Sequence, residues 1–161
     1  MNAKRRLKSY KFNTEVNSLW YWDKVKNPIR VMINFLVIYI CRFMPSLRLK
    51  NLLYRAIGIK VGRNVAIGLG AMFDIFFPEL IEIGDNSIIG YNSVILAHEF
   101  LIKELRVGEV KIGRNVLIGA NVTILPGIEI GDGVIVSAMS LVNEDLPSNC
   151  FAGGVPAREI K

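Results

Sequence analysis

From Ile112 onward the chain places a β-branched aliphatic residue at every sixth position: Ile112, Ile118, Ile124, Ile130, Val136 and Val142. The residues four further on (Val116, Val122, Ile128, Val134, Ser140, Leu146) are small or apolar, and Gly113, Gly119, Gly131 and Ser137 directly follow a repeat position. The same frame recurs upstream at Ile83, Ile89 and Ile95, and more weakly at Val61 and Ile67. This beat fits neither the helical period of about 3.6 nor the strand period of about 2. It predicts short strand segments joined by tight turns, each turning one aliphatic side chain into a shared interior. Small corner residues let successive turns approach closely. A single turn of this kind cannot bury a face, so stability must come from stacking.

The frame breaks between Ile95 and Ile112, whose spacing is not a multiple of six. A loop at about 97–108 is therefore expected to leave the stack. A second slip lies between Phe73 and Ile83. Insertions in a strict repeat gather on one face and often carry function. At the base of the loop stands His98, the single histidine of the chain.

The front end differs in character. Asn27 can cap a helix with Pro28 at its first position, running to Met44, and Ser46 can cap a second from about Leu47 to Ile57, ended by Gly58. The expected organisation is a basic N-terminal segment with two helices over 1–58, followed by a repeat domain over 59–161. The net charge of +6 is concentrated here: Lys4, Arg5, Arg6, Lys8, Lys11, Lys24, Lys26, Arg30, Arg42, Arg48, Lys50, Arg55 and Lys60 face only Glu15 and Asp23. That charge suits either a solvated face or an anionic surface such as a membrane. The apolar run Val31–Cys41 spans about 16 Å as a helix, short of the roughly 30 Å of a hydrocarbon core. Two readings stay open: a helix packed on the repeat domain or a neighbouring subunit, and an interfacial helix in peripheral membrane contact. Cys41 and Cys150 stand far apart with no framework spacing, and no secretory signal is visible, so a reducing cytoplasm is expected.

The strings IGDNSIIGYNSVI, KIGRNVLIGANVTILPGIEIGDGVIVSA and AGGVPAR strongly resemble the bacterial hexapeptide-repeat acyltransferases, and LKNLLYRAIGIKVG resembles the entry segment of their polysaccharide-modifying branch. That group includes the maltose, galactoside and nodulation-factor acetyltransferases. The resemblance covers residues 58–161. It implies a mostly β chain forming a left-handed parallel β-helix, three hexapeptides per coil, with an N-terminal helical segment and one extruded loop. It implies a homotrimer that uses acetyl-CoA and needs no metal. The histidine opening the loop, here His98, would be the general base on the acceptor, a role suited to a group that titrates near neutrality. Glu99 would orient the imidazole, and Asp74 would bind the acceptor. CoA would lie along Gly119, Ala120, Ser137 and Ala138, with the Ala120 amide serving the oxyanion. Arg158 would meet the nucleotide phosphates. Relatives commonly carry a lysine where this chain has Glu144, which leaves Arg158 and Lys161 to hold the phosphates.

Other classes fail on the residues. One histidine and two distant cysteines leave no transition-metal site, no GxxxxGK[ST] string exists, and no aromatic–basic stripe speaks for nucleic acid. The expected activity is O-acetylation of a sugar or glycan hydroxyl. The rivals are N-acetylation of an amino sugar or antibiotic, and a non-catalytic β-helix scaffold.

Overall fold

The computed structural model describes residues 5–160, so Lys4 and Lys161 of the expectations above lie outside the described residues. The chain begins with strand β1 (Lys8–Lys11), a short helix α1 (Trp22–Val25), then α2 (Pro28–Phe43) and α3 (Leu47–Ala56). The caps are the expected ones. Asn27 Oδ1 accepts from the amides of Ile29 (2.9 Å) and Arg30 (3.3 Å), and Ser46 Oγ accepts from Leu49 at 3.4 Å.

Coils follow in order. The first holds β2 (Lys60–Val61), β3 (Ala66–Ile67) and β4 (Met72–Phe73); the second β5 (Ile81–Ile83), β6 (Ile88–Ile89) and β7 (Val94–Ile95). After β8 (His98–Phe100) and β9 (Glu104–Val107), the third coil has β10 (Val110–Ile112), β11 (Leu117–Ile118) and β12 (Thr123–Ile124). The fourth has β13 (Glu129–Ile130), β14 (Ile135–Val136) and β15 (Leu141–Val142), and β16 (Phe151–Gly154) and β17 (Ala157–Glu159) close the chain. Each strand pairs in parallel with its counterpart one coil away, giving three faces: β2-β5-β10-β13, β3-β6-β11-β14-β16 and β4-β7-β12-β15. The residues of the six-residue beat all point inward and are buried, from Val61 and Ile67 through Ile118, Ile124 and Val142.

The corners explain the asparagines. Asn64, Asn86, Asn92, Asn115 and Asn121 all take positive φ, between 54° and 59°, a conformation asparagine tolerates better than most residues. Their side chains stack as well, Asn86 on Asn115 and Asn92 on Asn121, each at 2.8 Å. At Gly119 a Cβ would stand 2.5 Å from the amide nitrogen of Ala138 one coil on, so only glycine fits there.

The basic front end has a structural task the sequence reading did not foresee. The amides of Gly62 and Ala66 in the first coil donate to Ile83 and Ser87 in the second, and the carbonyls of Val61, Gly62, Val65, Ile67 and Gly68 are met from the opposite side. Helix α3 supplies the donors. Lys50 Nζ donates to the carbonyls of Ile67 (2.9 Å) and Gly68 (3.2 Å), Asn51 to Val65 (2.8 Å), and Arg55 to Val61 (2.8 Å) and Gly62 (2.7 Å). From α2, Arg42 reaches Gly70 and Asn34 reaches Ile75. Covered edges of this kind resist stray strand pairing. Helix α2 packs on the coil end through Val31, Asn34, Ile38 and Cys41, while Ile29, Met32, Leu36, Ile40 and Phe43 on its outer side are exposed. No described helix is long and apolar enough to cross a membrane.

The extruded segment is not an irregular loop. It is the hairpin β8–β9, and β1 pairs antiparallel with its second strand, making a three-stranded sheet in the order β1-β9-β8. The N-terminal residues thus cross the boundary expected at residue 58, and Arg6 pairs with Asp145 just beyond the fourth coil.

Candidate active site

A strict coil takes 18 residues, the interval from Arg114 to Asp132. The first coil takes 22, from Lys60 to Glu82, and the second takes 29, from Asn86 to Asn115. Both excesses leave the stack at the same corner, because Phe73 and Ile95 are paired neighbours at the ends of β4 and β7. The first excess begins with Asp74 and the second delivers His98. Two slips that are separate in sequence therefore meet in space.

Asp74 has a fully buried side chain. One oxygen accepts from the amides of Phe76 (2.8 Å) and Phe77 (2.9 Å), and the other from the amide of Ala97 (2.8 Å) and from Nδ1 of His98. A carboxylate is acceptor-only when ionised, so this contact places the proton on Nδ1 and leaves the Nε2 lone pair free. The ring stands among aromatic edges, with centroids 4.9 Å from Phe76, 5.1 Å from Phe100 and 5.9 Å from Phe77. His98 keeps 13% of its side-chain surface exposed. A histidine oriented by a buried carboxylate, with its second nitrogen free, can take a proton from an attacking hydroxyl.

Two expectations need correction here. Glu99 does not orient the imidazole: adjacent residues of β8 point to opposite sides of the hairpin, and Glu99 instead receives Arg5 at 2.6 Å. Asp74, expected to touch the acceptor, spends both oxygens inside the protein and takes the orienting place instead. The signal available beforehand was that Asp74 and His98 each open a slip in the repeat.

The residues expected along CoA form a second group. Leu117–Ile118 pairs with Ile135–Val136, which stacks Gly119 on Ser137 and Ala120 on Ala138, and the amide of Met139 donates to the Ala120 carbonyl at 2.9 Å. This corner follows the second face, whereas Asp74 and His98 stand at the corner following the third. Within one chain the two groups lie on different edges of the prism. Arg158, on β17, is held by Glu144 at 2.7 Å and by Asn143 at 3.4 Å. The acid that departs from the family pattern is thus the partner of the expected phosphate ligand. No group of three or more metal-binding side chains occurs among the described residues.

Residues 109–144 match the family described as bacterial transferase hexapeptide (six repeats). The chain is 52% identical over 145 residues to "Putative acetyltransferase YvoF" of Bacillus subtilis (strain 168), covering 89% of this chain and 84% of that protein. It is 37% identical over 111 residues to the galactoside O-acetyltransferase of Escherichia coli (strain K12), covering 62% of this chain and 55% of that one. Among solved structures, the hexapeptide-repeat acetyltransferase VCA0836 of Vibrio cholerae complexed with acetyl coenzyme A superposes with a TM-score of 0.70 at 21% identity, covering 83% of this chain and 86% of that one. The repeat, the stacked coils and these relatives agree: the chain is a mostly β, left-handed β-helix and belongs to the bacterial hexapeptide-repeat acetyltransferases.

Proposed function

We propose that the protein transfers the acetyl group of acetyl-CoA to a hydroxyl of a sugar or glycan, with His98 as general base. The observation that carries this reading is the Asp74–His98 pair at the double break of the coil, which leaves one imidazole nitrogen free to accept a proton. The acceptor oxygen attacks the thioester carbonyl while its proton passes to Nε2. The carbon–sulfur bond then breaks, and the departing thiolate takes the proton back from the imidazolium. The Ala120 amide is the assigned donor to the oxyanion, and Gly119, Ser137 and Ala138 give the pantetheine arm a small-residue track. Arg158 is assigned to the phosphates. The sugar hydroxyl is favoured as acceptor by the likeness to a galactoside O-acetyltransferase.

The separation of His98 from Ala120 onto different edges favours a site completed by a second subunit, hence a homotrimer. The outer side of the second face supports this, since Ile88, Leu117, Ile135 and Phe151 form an exposed apolar ladder. The corresponding ladder of the first face is Lys60, Glu82, Lys111 and Glu129. An apolar stripe of that length is what a neighbouring copy covers.

The test is transfer from acetyl-CoA to a panel of sugars and amino sugars, with mass spectrometry locating the acetyl group. O-linked product is expected. N-linked product would select the amino-sugar rival. A protein that melts at the same temperature with and without millimolar CoA would be the scaffold.

A further inference from the structure

Strand β1 does more than cover the hairpin. Lys8 pairs with Val107, and Val107 pairs with His98. Residues directly opposite on antiparallel strands present their side chains to the same face. Lys8, Val107 and His98 therefore form one row, which crosses two strand spacings, about 10 Å. The next row on that face is Tyr10, Leu105 and Phe100. Lys8, Tyr10, Leu105 and Val107 floor a cleft of about 540 Å³, walled by Phe12, Lys24, Phe77 and Leu80, and His98 and Phe100 continue the two rows beyond its lining. That size is typical of sites for small ligands, roughly 300–1,000 Å³. Phe77 is shared: it lines the cleft and stands 5.9 Å from the His98 ring.

The lining has a definite chemistry. Tyr10 is half exposed, and with Phe12 and Phe77 it offers flat apolar surfaces of the kind on which sugar rings lie. Glu79 in the wall is held by Lys26. Lys8 and Lys24 pair with no carboxylate among the described residues, so the cleft carries uncompensated positive charge.

We propose that this cleft is the acceptor subsite for an anionic sugar, one bearing phosphate or carboxylate, whose charge is held by Lys8 and Lys24 while a hydroxyl reaches His98. The proposal rests on the acetyl-transfer reading above and names its substrate class. The N-terminal strand thereby sets specificity on the same sheet face that carries the base.

The experiment uses the full chain and matched acceptors: glucose with glucose 6-phosphate, and galactose with galacturonate. Transfer is followed kinetically and acceptor binding by titration calorimetry. The anionic member of a pair is expected to show at least tenfold higher kcat/KM, with its KM rising as salt screens the contact. The double substitution Lys8→Gln/Lys24→Gln should raise KM for the anionic members more than tenfold and for the neutral members far less. Lys8→Arg/Lys24→Arg should restore most of the preference. Equal use of both members, or a preference that survives the glutamine substitutions, overturns the subsite while leaving acetyl transfer standing. Failure of any anionic sugar to bind, with CoA still raising the melting temperature, also overturns it. Loss of both CoA binding and transfer would instead sink the underlying reading.

Discussion

One oxygen of Asp74 holds both the Ala97 amide and Nδ1 of His98, which is 24 residues further along the chain. The carboxylate therefore sets the tautomer of the imidazole and the backbone from which that ring extends. Asp74→Asn keeps the volume but can offer only one acceptor oxygen to these donors. If the amide nitrogen faces His98, the imidazole must accept at Nδ1 and carry its proton on Nε2, the wrong place for a base. Turnover is expected to fall by about 10²–10⁴, as losses of orienting carboxylates do. The unsatisfied Ala97 amide adds a destabilisation of about 1–3 kcal/mol. Steady-state kinetics and denaturant unfolding of the same variant read the two effects separately.

His98→Ala tests the base itself. The ring is packed among Phe76, Phe77 and Phe100 without supporting the coil interior, so the variant should fold and still bind CoA. Its kcat should drop by about 10²–10⁴. Glu99→Gln is the contrast, since Glu99 belongs to Arg5 on the opposite side of the hairpin, and less than a fivefold change in kcat is expected. Full activity in His98→Ala with the true acceptor would remove the mechanism.

The coil was legible in the residues because its determinant is local and repetitive. Each inward aliphatic sits six residues from the next, and a glycine or serine follows several of them at the corner. The two caps, Asn27 and Ser46, were equally plain. What escaped was set by stacking between distant segments. The sequence shows a slip at Asp74 and another at His98, but not that both fall at one corner. Glu99 was expected as the partner because the resemblance puts an acid directly after the histidine, whereas the pleat of β8 turns it away. The positive charge of the front end looked like a surface property, yet Lys50 and Arg55 answer carbonyls exposed where the stack begins.

Lys50 is 1% exposed, and its ammonium is pulled below the usual lysine range by burial, with Cys41 opposing. Removing that charge recovers some desolvation cost, but it also orphans the carbonyls of Ile67 and Gly68 at a buried edge. An unpaired buried carbonyl costs about 1–3 kcal/mol, and two are left. The net expectation for Lys50→Met is a loss of about 1–3 kcal/mol, read as a lower denaturant midpoint with unchanged slope. A midpoint at or above that of the parent would show that the charge outweighs the bonds.

Glu144 competes for the guanidinium assigned to the CoA phosphates. Arg158 lies 2.7 Å from it and is about half exposed. An exposed ion pair contributes little, about 0–1 kcal/mol, so phosphates can displace the carboxylate at small cost. Glu144→Gln should tighten CoA binding two- to fivefold, and Arg158→Ala should weaken it by about tenfold, consistent with a charge-assisted bond of about 1.5–3 kcal/mol partly screened by solvent. Calorimetric titration with CoA measures both. Tighter binding in Arg158→Ala would place the phosphates elsewhere.

Met139 is the odd corner. It takes φ of 62°, where the equivalent position one coil earlier is Asn121 and two coils earlier is Asn92. A left-handed conformation costs an ordinary L-residue about 1–2 kcal/mol, and asparagine lightens that cost. Met139→Asn would also extend the side-chain ladder, since Asn121 accepts from Asn92 and keeps its own amide group available for the next rung. Met139 is 68% exposed, so little apolar burial is lost in the exchange. The substitution should therefore stabilise the protein by about 1 kcal/mol, a rise of a few degrees in melting temperature for a chain of this size. It lies beside Ser137 and Ala138, which makes a second readout informative. CoA affinity that falls while stability rises would mean the thioether itself contacts the pantetheine arm, whereas unchanged affinity would confine Met139 to the corner.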